Sequence, residues 1–371
     1  MSIRGTYISG IGNWPLVSIE NNRGILFSQA AYRSTLATLR NNQVQFRMIK
    51  KFIKQFVYSP FGWWLSTKFF RTQGVAVLMY HRIIQEDNIV FPGLKISDFK
   101  EQVCWLKRHC VIINPEDFDK ALRGGYGKKP VVLITFDDGY HDYYTNAYPI
   151  LDELQIPAVV FLATSYMDKA ELIWTDAITW AIQNTPFSKI TGPWKTNQDQ
   201  IISLNTSSDR NRFITECKNL LKSVPNTHRL VLQQQLFNIL GVDPNNSNIQ
   251  RQMLNWDEVR ATMKLTYFGG HTHTHPILSQ LDNQNVEDEI RTCRDRIYQE
   301  TGITPRYFAY PNGRAIDFTK DTQDILKKYG FDLAFSTIEG VHTLNMDRYA
   351  IRRLPTSVNN LIDFAWLIAK S

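Results

Sequence analysis

VVLITFDDG, residues 131–139, is the stretch that decides the fold. Five apolar residues and a threonine run together without helical spacing, and such a run reads as a strand buried on both faces. Two aspartates and a glycine follow at once, so the strand ends where charge begins. Working outward, VAVLMY (75–80) is a second apolar run and stops at His81, while VII (111–113) is a shorter β-branched one. AVVFLA (158–163), LTYFGG (265–270), YFAYP (307–311), LAFS (333–336) and YAIRRL (349–354) continue the series. Helical patterns separate them. Asp98–His109 carries Phe99, Val103 and Leu106 at helical spacing with Ser97 as its N-cap, and Tyr144–Leu154, Val286–Thr301 and Asp317–Tyr329 follow. Apolar strands alternating with helices predict an α/β protein whose parallel sheet is covered on both faces.

The rhythm breaks between about 170 and 262. That stretch is polar, with helical runs near Asp209–Lys222 and Arg229–Leu240, and reads as a helical insertion; Pro244–Gln250 reads as a mobile loop. The expected organisation is an N-terminal extension over 1–72 and a catalytic domain over 73–371. Residues 1–47 are aperiodic, and with a second candidate start at Met48 they are expected to be dispensable, the natural start then lying at Met48. From Met48 to Arg71, Lys50, Lys51, Lys54, Lys68 and Arg71 interleave with Phe52, Phe56, Phe61, Trp63, Trp64, Phe69 and Phe70. Two readings stay open for 48–71: peripheral contact with a membrane surface, or a helix and turn packed on the catalytic domain.

Composition narrows the function classes. With 43% hydrophobic and 12% aromatic residues among 371, the chain can bury a core. The net charge of +7 is spread along the sequence without a dense basic block or zinc-finger spacing, so a nucleic-acid partner is not expected. Four cysteines without a C-x-x-C pair read as reduced thiols. There is no apolar run of 18 residues and no recognisable signal peptide, so the expected location is cytoplasmic, peripheral to the membrane if 48–71 lies on it.

Three strand ends carry the chemistry, as parallel α/β folds require. After the first strand, Asp137 and Asp138 stand side by side. Adjacent carboxylates at a buried strand end repel each other unless a cation compensates them, and Gly139 allows the sharp turn. After LTYFGG comes His271-Thr-His273-Thr-His275-Pro276. In a helix His271 and His275 would share a face with His273 elsewhere; in an extended chain all three would align. Pro276 disfavours helix at His275, and the sequence leaves the choice open. Two imidazoles and one carboxylate leave open positions for water and substrate, which is a catalytic rather than a structural metal arrangement. A second carboxylate held nearby can take a proton from water, a device suited to amide or ester hydrolysis.

TFDDG (135–139), HTHTHP (271–276) and FAYPNG (308–313) resemble, in order, the motifs of the polysaccharide deacetylases, the fourth carbohydrate esterase family. The resemblance covers roughly residues 75–370. It implies a distorted (β/α)7-type barrel, a divalent metal with zinc the expected ion, and removal of acetyl from an N-acetylated sugar. On it, Asp137 is the general base, Asp138, His271 and His275 are the metal ligands, and Asn312 supplies a backbone donor to the oxyanion. The chain departs from the pattern twice. Many members carry Arg where Ala309 stands, leaving Arg306, Arg352 and Arg353 as candidates to orient Asp137. A late Leu-x-His element is also missing. Some relatives look circularly permuted, with the closing strand placed first, so His81 is the expected acid rather than His342.

The expected partner is therefore a carbohydrate, a polysaccharide or glycan precursor. Three alternatives stand beside it: hydrolysis of a non-sugar amide in the same fold, an iron-type facial triad, and a metal-binding pseudoenzyme that recognises glycans through Trp174, Trp180, Trp194 and Trp256. The sequence does not set the oligomeric state.

Overall fold

A computed structural model describes residues 51–56, 58–59, 62–63, 73–127, 129–192, 201–244, 249–358 and 360–369. The chain divides into two compact units, Met1–Gln55 and Phe56–Ser371. Residues 1–47, more than half of the 48–71 segment, Trp194 and the centre of the Pro244–Gln250 loop lie outside the described residues. Of the first unit only 51–55 are described, and they are helical. Among the described residues no helix is long and apolar enough to cross a membrane.

The second unit is built on seven parallel strands: β1 (Val75–Tyr80), β2 (Val131–Phe136), β3 (Ala158–Leu162), β4 (Thr266–Gly270), β5 (Tyr307–Ala309), β6 (Leu333–Glu339) and β7 (Ile351–Pro355). Each pairs with the next, and β1 pairs with both β2 (Val75↔Val131 through Tyr80↔Phe136) and β7 (Leu78↔Leu354), so the sheet closes. An extra short strand, Val111–Ile112, adds to β2 outside the ring. This is the distorted (β/α)7-type barrel expected from the sequence.

Period-two alternation divides each strand between two cores. Val75 and Val77 of β1, Val131 and Leu133 of β2, Val159 and Phe161 of β3 and Ile351 of β7 belong to one buried cluster, the barrel interior. Their neighbours Ala76, Leu78, Val132, Ile134, Phe136, Val160 and Leu354 belong to another. That second core is shared with the outer helices α1 (Ile96–His109), α3 (Tyr148–Leu154) and α10 (Leu361–Ala369). The short helix α2 (Phe118–Leu122) joins the interior cluster through Phe118, Ala121 and Leu122.

Some local expectations need correction. α1 starts at Ile96 with Lys95 as its N-cap, not after a Ser97 cap, because Leu94–Lys95 pairs with Ile83–Ile84 and runs straight into the helix. Before α3 the backbone makes a π-helical turn over Tyr143–Ala147. The 170–262 stretch is not all helix. It contains α4 (Trp174–Asn184), a hairpin of Lys189–Thr191 with Ile201–Ser203, α5 (Ser207–Leu221) and α6 (Asn226–Leu240) around their own core of Ile178, Ile182, Phe213, Cys217, Leu236 and Phe237. Its last helix, α7 (Trp256–Thr262), instead packs Trp256 and Val259 into the barrel's outer core. Between β4 and β5 lies α8 (Asn283–Thr301), and between β5 and β6 lies α9 (Lys320–Lys328).

Candidate active site

The same alternation aims the site. Counting on from Val131 and Leu133, residues 135 and 137 keep the interior parity; from Val75 and Val77, so do 79 and 81; from Ile351, so does 353. Three chain-distant residues thus reach the carboxyl end of the barrel on its inner side. Arg353 is fully buried and clamps Asp137 with two parallel hydrogen bonds, Nη1 to Oδ1 at 2.6 Å and Nη2 to Oδ2 at 2.7 Å. Its Nε donates to the Ser336 carbonyl at 2.7 Å and Nη1 also to Thr135 Oγ1. Of the three candidate arginines only this one serves. Arg352 has the opposite parity and is exposed, and Arg306 pairs with Asp332. Burial pushes the Asp137 carboxyl up, but the Arg353 guanidinium and then His271 outweigh it and hold it below the usual range.

The turn after β2 places Asp138 in the left-handed region (φ 73°), followed by Gly139 (φ 81°). The left-handed backbone favours glycine there, and a Cβ would also press on Leu162 Cδ2 at 2.8 Å. The loop after β4 is neither helical nor extended. Thr272 and His275 have φ of 66° and 58°, which turns His275 back toward His271 while His273 points away to Thr164 Oγ1 at 3.0 Å. Left-handed backbone at a non-glycine residue costs on the order of 1–3 kcal/mol, and here neighbouring groups impose it. Glu289 of α8 accepts from the His273 and Thr274 N–H groups at 2.7 and 2.8 Å. The Trp174 indole donates to the His275 carbonyl at 3.1 Å.

Asp138, His271 and His275 converge, all buried, with their ligand atoms within 4.8 Å of one another. Asp138 Oδ1 lies 3.2 Å from Nε2 of each imidazole. His271 Nδ1 is 2.7 Å from the Ala309 carbonyl, which can only accept, so Nδ1 carries a proton and the neutral ring would offer its Nε2 lone pair inward. Asp138 Oδ1 and His275 Nδ1 are buried without a well-aligned hydrogen bond. Burial penalises the charged form of Asp138, but the two imidazoles hold its carboxyl well below the usual range. The same burial draws His275 down, whereas in His271 the aspartates win and its pKa rises. Two ring nitrogens and a carboxylate oxygen aimed at one point form a set that one divalent cation satisfies at once.

The other expected residues border the same cleft, a cavity of about 1250 Å³. His81 is half-exposed with Nε2 3.9 Å from Asp137 Oδ2. Asn312 sits in a left-handed turn (φ 62°), its amide donating to Asp317 at 2.6 Å and its carbonyl accepting from Thr337 Oγ1. Its backbone N–H has no acceptor among the described residues. His342 lies elsewhere, buried beside Val75 and against the Phe118 ring. Of the tryptophans considered as sugar platforms, Trp174 borders the cleft but is buried, Trp256 is buried and Trp180 partly so, while Trp194 lies outside the described residues. Sequence reasoning missed Glu289, which sits mid-helix with nothing in its surroundings in sequence to single it out. It also missed the buried Arg82, which pairs with Asp176 and Asp142 at 2.9 and 3.3 Å and stacks on Tyr140.

A closed seven-stranded barrel carries at its carboxyl end an Asp/His/His cluster that could hold a metal, and comparison with known proteins says which family builds such a site. The family profile described as polysaccharide deacetylase matches residues 124–193 and 242–334. The poly-beta-1,6-N-acetyl-D-glucosamine N-deacetylase of Escherichia coli (strain K12) is 33% identical over 282 residues, which is 72% of this chain and 34% of that protein. The protein of the same name from Staphylococcus epidermidis is 31% identical over 112 residues, 26% of this chain and 39% of that one. The chain belongs to the polysaccharide deacetylase family. It spans about a third of the length of the curated relatives it matches. Among solved structures, IcaB from Ammonifex degensii has a TM-score of 0.51 at 18% identity, covering 81% of this chain and 99% of that one. BC0361, a polysaccharide deacetylase from Bacillus cereus, has a TM-score of 0.50 at 17% identity, covering 80% and 69%. The profile's matched segments contain Asp137, Asp138, His271, His275 and Asn312, but neither His81 nor Arg353.

Proposed function

We propose that this chain removes acetyl groups from N-acetylated sugars of a polysaccharide or glycan precursor, with zinc held by Asp138, His271 and His275. The observation that carries the reading is the division of the aspartate pair. Asp138 faces two imidazoles, while Asp137 is held apart by Arg353. A cation in the three-ligand site would supply Lewis acidity to the acetyl carbonyl and lower the pKa of water for attack at neutral pH. Asp137, kept ionised and aimed by the guanidinium, accepts the proton of the attacking water. The Asn312 N–H lies free to donate to the oxygen on which negative charge develops. His81, on the solvent side of Asp137, gives a proton to the leaving amine, and acetate and the free amino sugar result. Arg353 also answers the Ala309 departure, because the guanidinium absent from β5 arrives from β7, which weakens the pseudoenzyme alternative.

The N-deacetylase names of the relatives make β-1,6-linked N-acetylglucosamine oligomers the first substrate to try. Metal-loaded protein is expected to release acetate from them, to stop with a chelator and to recover best with zinc. No acetate from fully metallated protein on any N-acetylated glycan would overturn the reading.

A further inference from the structure

The cleft is larger than the about 300–1,000 Å³ of ordinary small-molecule sites, so it has room for more than the reacting sugar. One wall comes from α5, in the excursion between β3 and β4. Phe213, Ile214, Cys217 and Leu221 bury one face of that helix in the local core. Asn211, Thr215, Lys218 and Lys222, spaced four, three and four residues apart, form the adjoining stripe and line the cleft. Both lysines are partly buried, and among the described residues neither ammonium has a hydrogen bond or an ion pair.

The nearby carboxylates are already engaged. Asp176 accepts from Arg82 at 2.9 Å and from the Tyr140 hydroxyl at 3.0 Å. Asp317 accepts from Arg314, from the Arg314 backbone and from Asn312. Across the cleft Asp87 is paired with Lys95 at 2.9 Å. Burial pulls the ammonium of Lys218 below the lysine range against the attraction of Asp176, and Lys222 adds to the shift. Lys222 is lowered by burial and by Arg314 against the attraction of Asp317. Two neighbouring, partly desolvated cations that feel Asp176 and Asp317 only at a distance, with no paired carboxylate, are costly unless a ligand supplies one.

We propose that Lys218 and Lys222 form an anion subsite of the cleft, which binds a carboxylate or phosphate group carried by the glycan to be deacetylated. The proposal rests on the deacetylase reading for its substrate class. It adds that the polymer is not the neutral amino-sugar chain alone, since each removed acetyl leaves a cationic amine that this wall repels.

Equilibrium binding by calorimetry tests this independently of turnover, on metal-loaded full-length protein. The probes are N-acetylglucosamine oligomers of one length in three forms: neutral, alternating with glucuronic acid, and bearing a phosphate monoester. One anionic form is expected to bind about tenfold or more tightly than the neutral oligomer, with the preference fading as salt rises. Which of the two does so separates carboxylate from phosphate. In Lys218→Met/Lys222→Met, which keeps the aliphatic stems, the preference should vanish while neutral binding holds. Lys222→Met alone, at the helix end, should remove part of it if the double variant unfolds. Equal binding of all three oligomers by the unaltered protein, or a preference that survives the substitutions, overturns the proposal. Binding that behaves as expected without acetate release would retain the subsite and reject the reaction.

Discussion

The two halves of the site are built differently. Asp138, His271 and His275 come from two short loops that carry their own signals: an aspartate pair after an apolar strand, and histidines after a Gly-Gly strand end. Asp137 shares the first loop, but its partners Arg353, in β7, and His81, directly after β1, lie 216 and 56 positions away. On the proposed roles, the cation half is therefore written locally, and the proton-handling half is assembled by closing the barrel. The family profile divides the same way, matching the loops and neither of the closing strands. A local motif fixes which atoms are present, whereas barrel closure fixes which of them meet.

The largest expected effect tests the local half. His271→Ala removes a proposed ligand and the contact of Nδ1 with the Ala309 carbonyl. Bound metal and acetate release are both expected to fall to background, measured by elemental mass spectrometry and an acetate assay. Full metal content in this variant would dissolve the distinction between the halves, because the ligand set would have to be another one.

Arg353→Met tests the closing half through stability. It leaves Asp137 buried with its main counter-charge gone, and breaking a buried pair costs about 3–5 kcal/mol. The pH dependence has a definite sign. In the unaltered protein the Asp137 pKa is depressed, so its ionisation stabilises the fold above the ordinary carboxylate range, and this is lost as pH falls through the folded value. In the variant, burial is opposed chiefly by the weaker imidazole attraction, the carboxyl shifts upward, and ionising it destabilises. The difference in unfolding free energy between the two proteins should therefore widen from acid to neutral pH in denaturant titrations. A constant difference would mean that the guanidinium is packing rather than pairing.

How much was legible follows from this contrast. The barrel could be read because its strands are buried on both faces and appear as unbroken apolar runs. The α1 start could not, because strand pairing of Leu94–Lys95 overrides a good cap at Ser97. The histidine loop kept two conformations open because its actual one is imposed from outside, by Glu289 and Trp174, and no local propensity encodes left-handed Thr272 and His275. Arg353 was one of three candidates until strand parity was known. The register of β7 against β6 (Phe335↔Ile351) turns Arg353 inward and Arg352 out, and a slip of one residue would exchange them.

His81→Ala sharpens the comparison without disturbing the fold. The side chain is half-exposed and 3.9 Å from Asp137, and none of the three ligand atoms belongs to it. If His81 is the acid proposed above, turnover on an unactivated N-acetyl sugar should fall about 10²-fold, the lower range for general acid catalysis, with metal content and thermal midpoint unchanged. An N-acyl substrate with a leaving group that needs no proton should lose much less. If metal is lost along with turnover, His81 belongs to the cation half and the division drawn here is misplaced.

The smallest expected effect asks whether the cation half is really local. Glu289→Gln keeps the size of the side chain and one acceptor oxygen, but removes the charge that holds the His273 and Thr274 N–H groups. Those two bonds hold the loop that carries His275, so their weakening should reach the metal through geometry alone. Outer partners of metal ligands typically contribute about 10–100-fold in affinity. Because both N–H groups donate to the one oxygen Oε2, which the carboxamide oxygen of the variant can replace without its charge, the lower end, about tenfold weaker binding in a competitive chelator titration, is the expected result. Turnover at saturating metal should be nearly unchanged, since none of the proton-handling groups moves. A loss at saturating metal would instead show that the loop also positions substrate, and that α8 belongs to both halves of the site.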